Sequence, residues 1–130
     1  LQAYHIYVVK NADKRSALAE ASQQQEVIKE APLSLVFCSH PARSASEFGE
    51  RGEQLYALQD TTIAAAYAQL AAVAAGLGST WVGHFDEQRL ISAIGIEKGL
   101  VPVAILTIGY PAELPELSSR RKMKEVVTHC

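Results

Sequence analysis

Gly76-Leu77-Gly78-Ser79-Thr80-Trp81-Val82-Gly83-His84-Phe85 is the stretch on which the reading of this chain turns. An alanine-rich segment runs into it, and Asp86 follows it as a helix start. Gly76 and Gly78 suit the exit of a helix. Ser79 to Val82 then reads as a short strand. Trp81 beside a second glycine, Gly83, brings bare backbone close to something flat or bulky. The plainer reading is a helix cap followed by a buried strand, and the rest of the chain has to decide between them.

Outward from that stretch the pattern is regular. Upstream, a long helix spans roughly Gln54 to Ala75, with eight alanines from position 64 onward (64, 65, 66, 68, 71, 72, 74 and 75). Alanine is the strongest helix former, and alanine on every side lets other backbones approach closely. Such a helix is either a central core helix or one buried between other helices across a subunit boundary. Downstream, Asp86 to Ile94 reads as a capped helix and Val101 to Ile108 as a buried strand. Pro102 sits near the start of that strand, where a missing N–H is tolerated.

The N-terminal half repeats the alternation. Tyr4 to Val9 is β-branched and aromatic and reads as a strand. Asp13 is a plausible N-cap for a helix from Lys14 to about Ala21. Ser22 to Gln25 interrupts it, and a second short helix runs to about Lys29. Ala31-Pro32 closes that helix, because the residue before proline avoids helical geometry. Leu33 to Cys38 is an almost continuous apolar run, as expected of a strand covered on both faces. Ser39 to Gly49 is expected to be a loop holding a turn of helix, and the most mobile segment. The tail carries prolines, then Arg120-Arg121-Lys122. Alternating strands and helices give a mixed, layered architecture whose strand order the pattern leaves open.

Composition bounds the function. With 130 residues and 48% hydrophobic content, residues 1–130 are expected to form one domain with a real core. The net charge of −2, with both signs interspersed, points away from nucleic acid and from anionic membrane. No apolar run approaches the roughly 18–20 residues of a membrane span. Two cysteines, Cys38 and Cys130, make neither a metal motif nor a disulfide framework, which fits a reducing cytoplasm. Cys38 reads as a small buried hydrophobe.

No side chain stands out as acid, base or nucleophile. His5, His40, His84 and His129 fall in no nucleophile or metal-ligand spacing, and Gly76-Leu77-Gly78 follows a helix instead of opening one, unlike a dinucleotide fingerprint. If the chain is an enzyme, a cofactor carries the chemistry. Two features could serve one: the amides around Gly83 and His84, and the cluster Arg120-Arg121-Lys122, which could neutralise a phosphate. In an extended tail, Arg120 and Lys122 share one side and Arg121 takes the other.

Taken in order, these landmarks resemble the nitroreductase family of flavoproteins over nearly the whole chain. Gln2-Ala3-Tyr4-His5-Ile6-Tyr7-Val8-Val9 is similar to its Gln-Pro-Trp-x-Phe-x-Val-Val strand. Glu30-Ala31-Pro32 with Leu33 to Cys38 resembles its Ala-Pro strand. Tyr56 to Asp60 and the alanine helix resemble its central helix. Gly76 to Gly83 matches its Gly-Leu-Gly-Ser-x-Trp-x-Gly segment, the most specific of the set. Ile108-Gly109-Tyr110-Pro111-Ala112 with Arg120 to Lys122 resembles its C-terminal region.

The resemblance implies an α+β, three-layer α-β-α sandwich with a mostly antiparallel central sheet. It implies an intertwined homodimer with FMN at the interface. NAD(P)H would give hydride to the flavin N5, and the reduced flavin would pass electrons to nitroaromatics, quinones or similar small acceptors by a ping-pong cycle. Carried onto this chain, the Val82, Gly83 and His84 backbone would face N5 and O4. Arg120, Lys122 and Arg121 would hold the FMN phosphate. Gln24, from the Gln23 to Gln25 group, would reach the pyrimidine edge. Gln2 and Tyr4 would approach from the partner subunit, and Trp81 would pack beside the flavin without reacting. Ala3 stands where the family has proline, and Tyr4 where it has tryptophan. The family's Arg-x-Ser-x-Arg segment would lie upstream of Leu1, so the chain is expected to be N-terminally incomplete. A sister reading within the family is reductive dehalogenation or flavin breakdown. The reading from another class is a shortened scaffold that binds a ligand or partner without flavin.

Overall fold

Tyr4–Val9 (β1), Leu33–Ser39 (β2), Gly78–Val82 (β3) and Val101–Gly109 (β4) form one sheet in the computed structural model, which describes residues 1–130. The strand order is β1-β2-β4-β3, and each neighbouring pair is antiparallel. The helices are α1 (Ala12–Ala21), α2 (Glu26–Glu30), α3 (Pro41–Arg51), α4 (Ala57–Ala74) and α5 (Glu87–Ile94). A π-helical turn over Gly52–Tyr56 leads into α4, and a single 3-10 turn, Met123–Glu125, lies in the tail. No helix is long and apolar enough to cross a membrane.

The period of two along the strands sorts side chains onto two faces. Val36, Cys38, Val82 and Ile105 point to one face and pack with Leu18 of α1, Ile28 of α2, and Leu90 and Ile94 of α5. Phe37 and Leu106 point to the other, against Ala65 of α4, with Leu35, Ala64, Ala68 and Ile108 around them. The result is three layers, with the larger core under α1 and α5. The expected α+β sandwich is therefore what the chain forms, and its sheet is antiparallel throughout. β2 and β4 are the central strands, which is why both read as nearly unbroken apolar runs. Pro102 lies opposite Cys38, where the β2–β4 register shifts. A ladder irregularity is where a residue without an N–H costs least in a central strand.

Two expectations need correction. The cap of α1 is Asn11, whose Oδ1 accepts the Lys14 N–H at 2.9 Å, and not Asp13. Asp13 sits in the first turn instead, where a carboxylate still complements the helix dipole. Ser39 to Gly49 is not a loop with one helical turn: Pro41–Arg51 is helix α3. His40 Nδ1 caps it by accepting the Arg43 N–H at 3.2 Å, and Pro41 at the first helical position needs no partner for an N–H. The helix bends at Gly49, which has φ 57° and ψ −145°. Within one chain, α4 turns a single face to the protein. Ala57, Thr61, Ala65 and Ala72 face the protein, while Leu58, Ile63, Tyr67, Leu70 and Val73 are 45–68% exposed.

The π turn after α3 packs tightly. A Cβ on Gly52 would come within 2.4 Å of the Ser44 carbonyl oxygen, which is backbone and cannot swing aside. Gly52→Ala is expected to lower stability by about 1–3 kcal/mol. A urea unfolding midpoint equal to that of the unsubstituted protein would show that the turn relaxes instead.

Cys38 is fully buried and its thiol is pushed up to about 12 from 9.0 by desolvation, whereas Cys130 is exposed. At about pH 8 a disulfide reagent is expected to titrate the exposed thiol alone on the native chain, and both after unfolding. The folded state holds the Cys38 proton more tightly than the unfolded state. Its contribution to stability is thus complete below the unfolded pKa and is lost as pH rises through the interval from 9.0 to about 12.

Candidate functional site

The site is built where α4 hands over to β3. α4 ends with Gly76 at φ 74°, its N–H donating to Val73 O at 2.9 Å, while Leu77 N donates to Ala72 O at 2.9 Å. Glycine takes that left-handed position without a Cβ penalty. β3 pairs only with β4 and so forms an edge of the sheet. Its Trp81 is partly exposed, and the indole Nε1 lies 3.3 Å from where a Cβ of Gly83 would be.

Beyond Val82 the chain leaves the sheet. It is next fixed at Asp86, whose N–H donates to Ala21 O at 2.8 Å and whose Oδ1 caps α5 by accepting Arg89 N–H at 2.9 Å. Between these anchors the N–H groups of Gly83, His84 and Phe85 have no acceptor within the chain. Gly83 and His84 are exposed. Such backbone donors require a partner, whether water or ligand.

The polar interruption after α1 reaches the same place. Gln23 Nε2 makes a hydrogen-bond contact with His84 Nε2. Gln24, the residue expected at a pyrimidine edge, is exposed, and its side chain makes no hydrogen bond within the chain. Gln23 and not Gln24 therefore joins the stretch around Gly83.

Gln2 and Tyr4 belong to a separate group at the N-terminal arm. Gln2 adopts φ 51°. Ala3 is buried and held on both sides, its N–H by Asp60 Oδ2 at 3.0 Å and its carbonyl by His40 N–H at 2.8 Å. Arg43 Nε donates to Leu1 O at 3.0 Å. The role of Asp60 was missed in the sequence. Its signal was the one charged side chain of α4, in the helix's first turn, and an alanine before β1 that, unlike proline, has an N–H to donate.

The tail forms the third group. Arg120 donates to Ser118 O and Ser119 O at 3.2 and 3.1 Å, and Arg121 donates to Glu125 O at 2.7 Å. The Lys122 ammonium makes no hydrogen bond or ion pair, while its carbonyl accepts the Glu125 N–H at 2.9 Å. All three are exposed. Within one chain, then, the ten expected site residues fall into groups that no side-chain hydrogen bond connects: Gln2 and Tyr4; Trp81, Val82, Gly83 and His84; Gln24 by itself; and Arg120, Arg121 and Lys122.

A family model described as the nitroreductase family matches residues 10–110. A Thermus thermophilus protein named NADH dehydrogenase is 27% identical over 154 residues, covering 98% of this chain and 75% of that protein. The crystal structure of nitroreductase A from Vibrio parahaemolyticus superposes with a TM-score of 0.88 at 28% identity, covering 99% of this chain and 58% of that one. The NADPH:FMN oxidoreductase of Vibrio harveyi, solved in complex with NAD+, superposes with a TM-score of 0.87 at 25% identity, covering 98% and 59%. The chain spans 57% and 75% of the lengths of the first curated relatives it matches.

Proposed function

The chain belongs to the nitroreductase family, and from that premise we propose that it is the greater part of an FMN-dependent NAD(P)H oxidoreductase that reduces nitroaromatic, quinone or similar small acceptors. One observation carries the reading: the consecutive free N–H groups of Gly83, His84 and Phe85 at an exposed sheet edge. The acceptor atoms along one edge of an isoalloxazine ring suit such a donor row. Gly83 adds a second fit, since a side chain there would crowd Trp81.

The chemistry a bound FMN supplies is acceptance of two electrons from NAD(P)H and their delivery to the acceptor. The protein's part is to bind, orient and shield. Gly83 and His84 N–H groups would donate to the ring edge, an arrangement that favours the electron-rich state because fixed donors need no reorganisation. Val82 ends the strand that aims them, and Trp81 packs behind Gly83. Gln24 is free to reach a pyrimidine edge. Arg120, Arg121 and Lys122 would hold the phosphate by charge-assisted hydrogen bonds.

A second copy completes this reading. The apolar outer face of α4 and the exposed Tyr110, Leu114, Leu117 and Met123 of the tail form the kind of surface that a partner buries. A homodimer would bring Gln2 and Tyr4 of one copy to the flavin of the other.

The test is an absorbance titration of the purified full chain with FMN, paired with light scattering. Flavin bands that bleach on adding NADH or NADPH, from a particle of twice the monomer mass, are the expected result. No binding at high micromolar FMN would overturn the flavin assignment and favour the scaffold reading. A monomer that binds FMN would overturn the dimer alone.

A further inference from the structure

Gln23 and Gln24 sit side by side at φ 55° and 59°. This left-handed region is unfavourable for any residue that carries a Cβ. Hydrogen bonds at the end of α1 impose it, and one from the start of α5 fixes it in place. Ser22 N and Gln24 N both donate to Ala19 O, at 3.1 and 2.9 Å, and the Asp86 N–H reaches across to Ala21 O at 2.8 Å. The turn after α1 is thereby tied to the start of α5. Its consequence is to carry the Gln23 amide onto the His84 ring.

The Gln23–His84 contact is the only side-chain hydrogen bond made by residues 83 to 85. An amide nitrogen can only donate. The same amide carries an acceptor oxygen beside that donor, so the Gln23 side chain can pair with either tautomer of the His84 ring. The segment that carries the unpaired Gly83 and His84 N–H groups is thus steadied by Trp81 close to Gly83 and by Gln23 against His84.

We propose that Gln23 is a positioning residue: through the His84 ring it sets the direction of the Gly83 and His84 N–H groups, and so the affinity of this site for the acceptor edge of FMN. The functional half of this inference rests on the flavin reading above. The strained backbone is explained by it, since glycine would suit the turn but would supply no amide.

Gln23→Gly separates the two roles, because it relieves the backbone and deletes only the amide. The full chain is measured without FMN by nitrogen–proton NMR and thermal melting, and with FMN by titration. Q23G is expected to melt no lower than the parent, to shift the His84 ring nitrogen resonances, and to displace the Gly83 and His84 amide resonances. Its FMN dissociation constant is expected to rise about tenfold, as for one lost hydrogen bond. In a His84→Ala background Q23G should have no further effect on that constant, because both act through one contact. An unchanged dissociation constant in Q23G, or effects of Q23G and H84A that simply add, would overturn the proposal. If the parent chain does not bind FMN, the flavin reading fails. The amide resonances then decide the positioning role by themselves: displaced ones uphold it and undisturbed ones overturn it.

Discussion

Replacing Arg120 and Lys122 together by alanine is expected to weaken FMN binding by about 1–3 kcal/mol for each charge-assisted hydrogen bond lost, roughly tenfold to a hundredfold per residue. The magnitude follows from what these groups face otherwise. Both are exposed, and neither is committed to an acid: the Arg120 guanidinium bonds only to Ser118 and Ser119, and the Lys122 ammonium to nothing. Their removal therefore leaves no unpaired acid behind, and the loss is specific to the ligand. Because the phosphate would be bound near solvent, the effect should shrink as ionic strength rises. Arg121 is the internal comparison. Its guanidinium already donates to Glu125 O and lies 3.6 Å from the Glu125 carboxylate, so part of its capacity is spent within the tail. R121A is expected to cost less than R120A. Equal FMN affinities in the double variant and the parent would sink the phosphate assignment, while leaving the Gly83–His84 contact to be tested separately.

Which parts of this molecule could be read from its residues depended on how local their causes are. β2 and β4 were legible because a central strand is covered on both faces, so Leu33 to Cys38 and Val101 to Ile108 had to be nearly continuous apolar runs. The cap of α5 was legible because Asp86 bonds three residues along its own chain. Helix α3 was not. Its first half, Pro41-Ala42-Arg43-Ser44-Ala45-Ser46, has no apolar stripe, and it contains Gly49, so composition alone suggested a loop. The informative residues were His40 and Pro41, a cap and a first-turn proline, whose meaning is positional. The outward face of α4 was hidden by the alanines around it, since an exposed Tyr67 or Leu70 looks the same in a sequence as a buried one.

The candidate site divides in the same way. Gly76 to Gly83 was legible as a helix exit followed by a short strand, because each requires particular residues in a fixed order, whereas the place of that strand at the sheet edge follows only from its pairing with β4 alone. Gln23 against His84 was not legible, because it depends on the Asp86–Ala21 hydrogen bond joining two segments far apart in the chain. Asp60 against Ala3 is the same case. Three adjacent glutamines could not be told apart in the sequence, and it is the turn at the end of α1, held to α5 through Asp86, that brings Gln23 to His84.

Phe37→Ala is expected to have the largest effect on stability, about 3–5 kcal/mol. Phe37 is fully buried and is the largest side chain in the small cluster between the sheet and α4. Its other members there, Ala65 and Leu106, offer little mass to close a cavity, and Ala65 is fixed to a helix backbone. Against a total stability of roughly 5–15 kcal/mol for a domain of this kind, that loss is a large fraction. Phe48 provides the contrast. It is 53% exposed and meets only the Tyr56 ring edge-on, at 5.3 Å between centroids. F48A is expected to cost no more than about 0.5–1.5 kcal/mol. The damage from F37A should also be directional. α1 and α5 pack on the opposite face of the sheet, in a cluster that does not contain Phe37. Hydrogen exchange in F37A is therefore expected to accelerate in α4 more than in α5. Since α4 carries Asp60, which holds Ala3, and ends at Gly76, which launches β3, a loosened α4 would disturb both structural groups that flank the proposed flavin site. Uniform acceleration across α4 and α5 would mean instead that the two layers unfold only together.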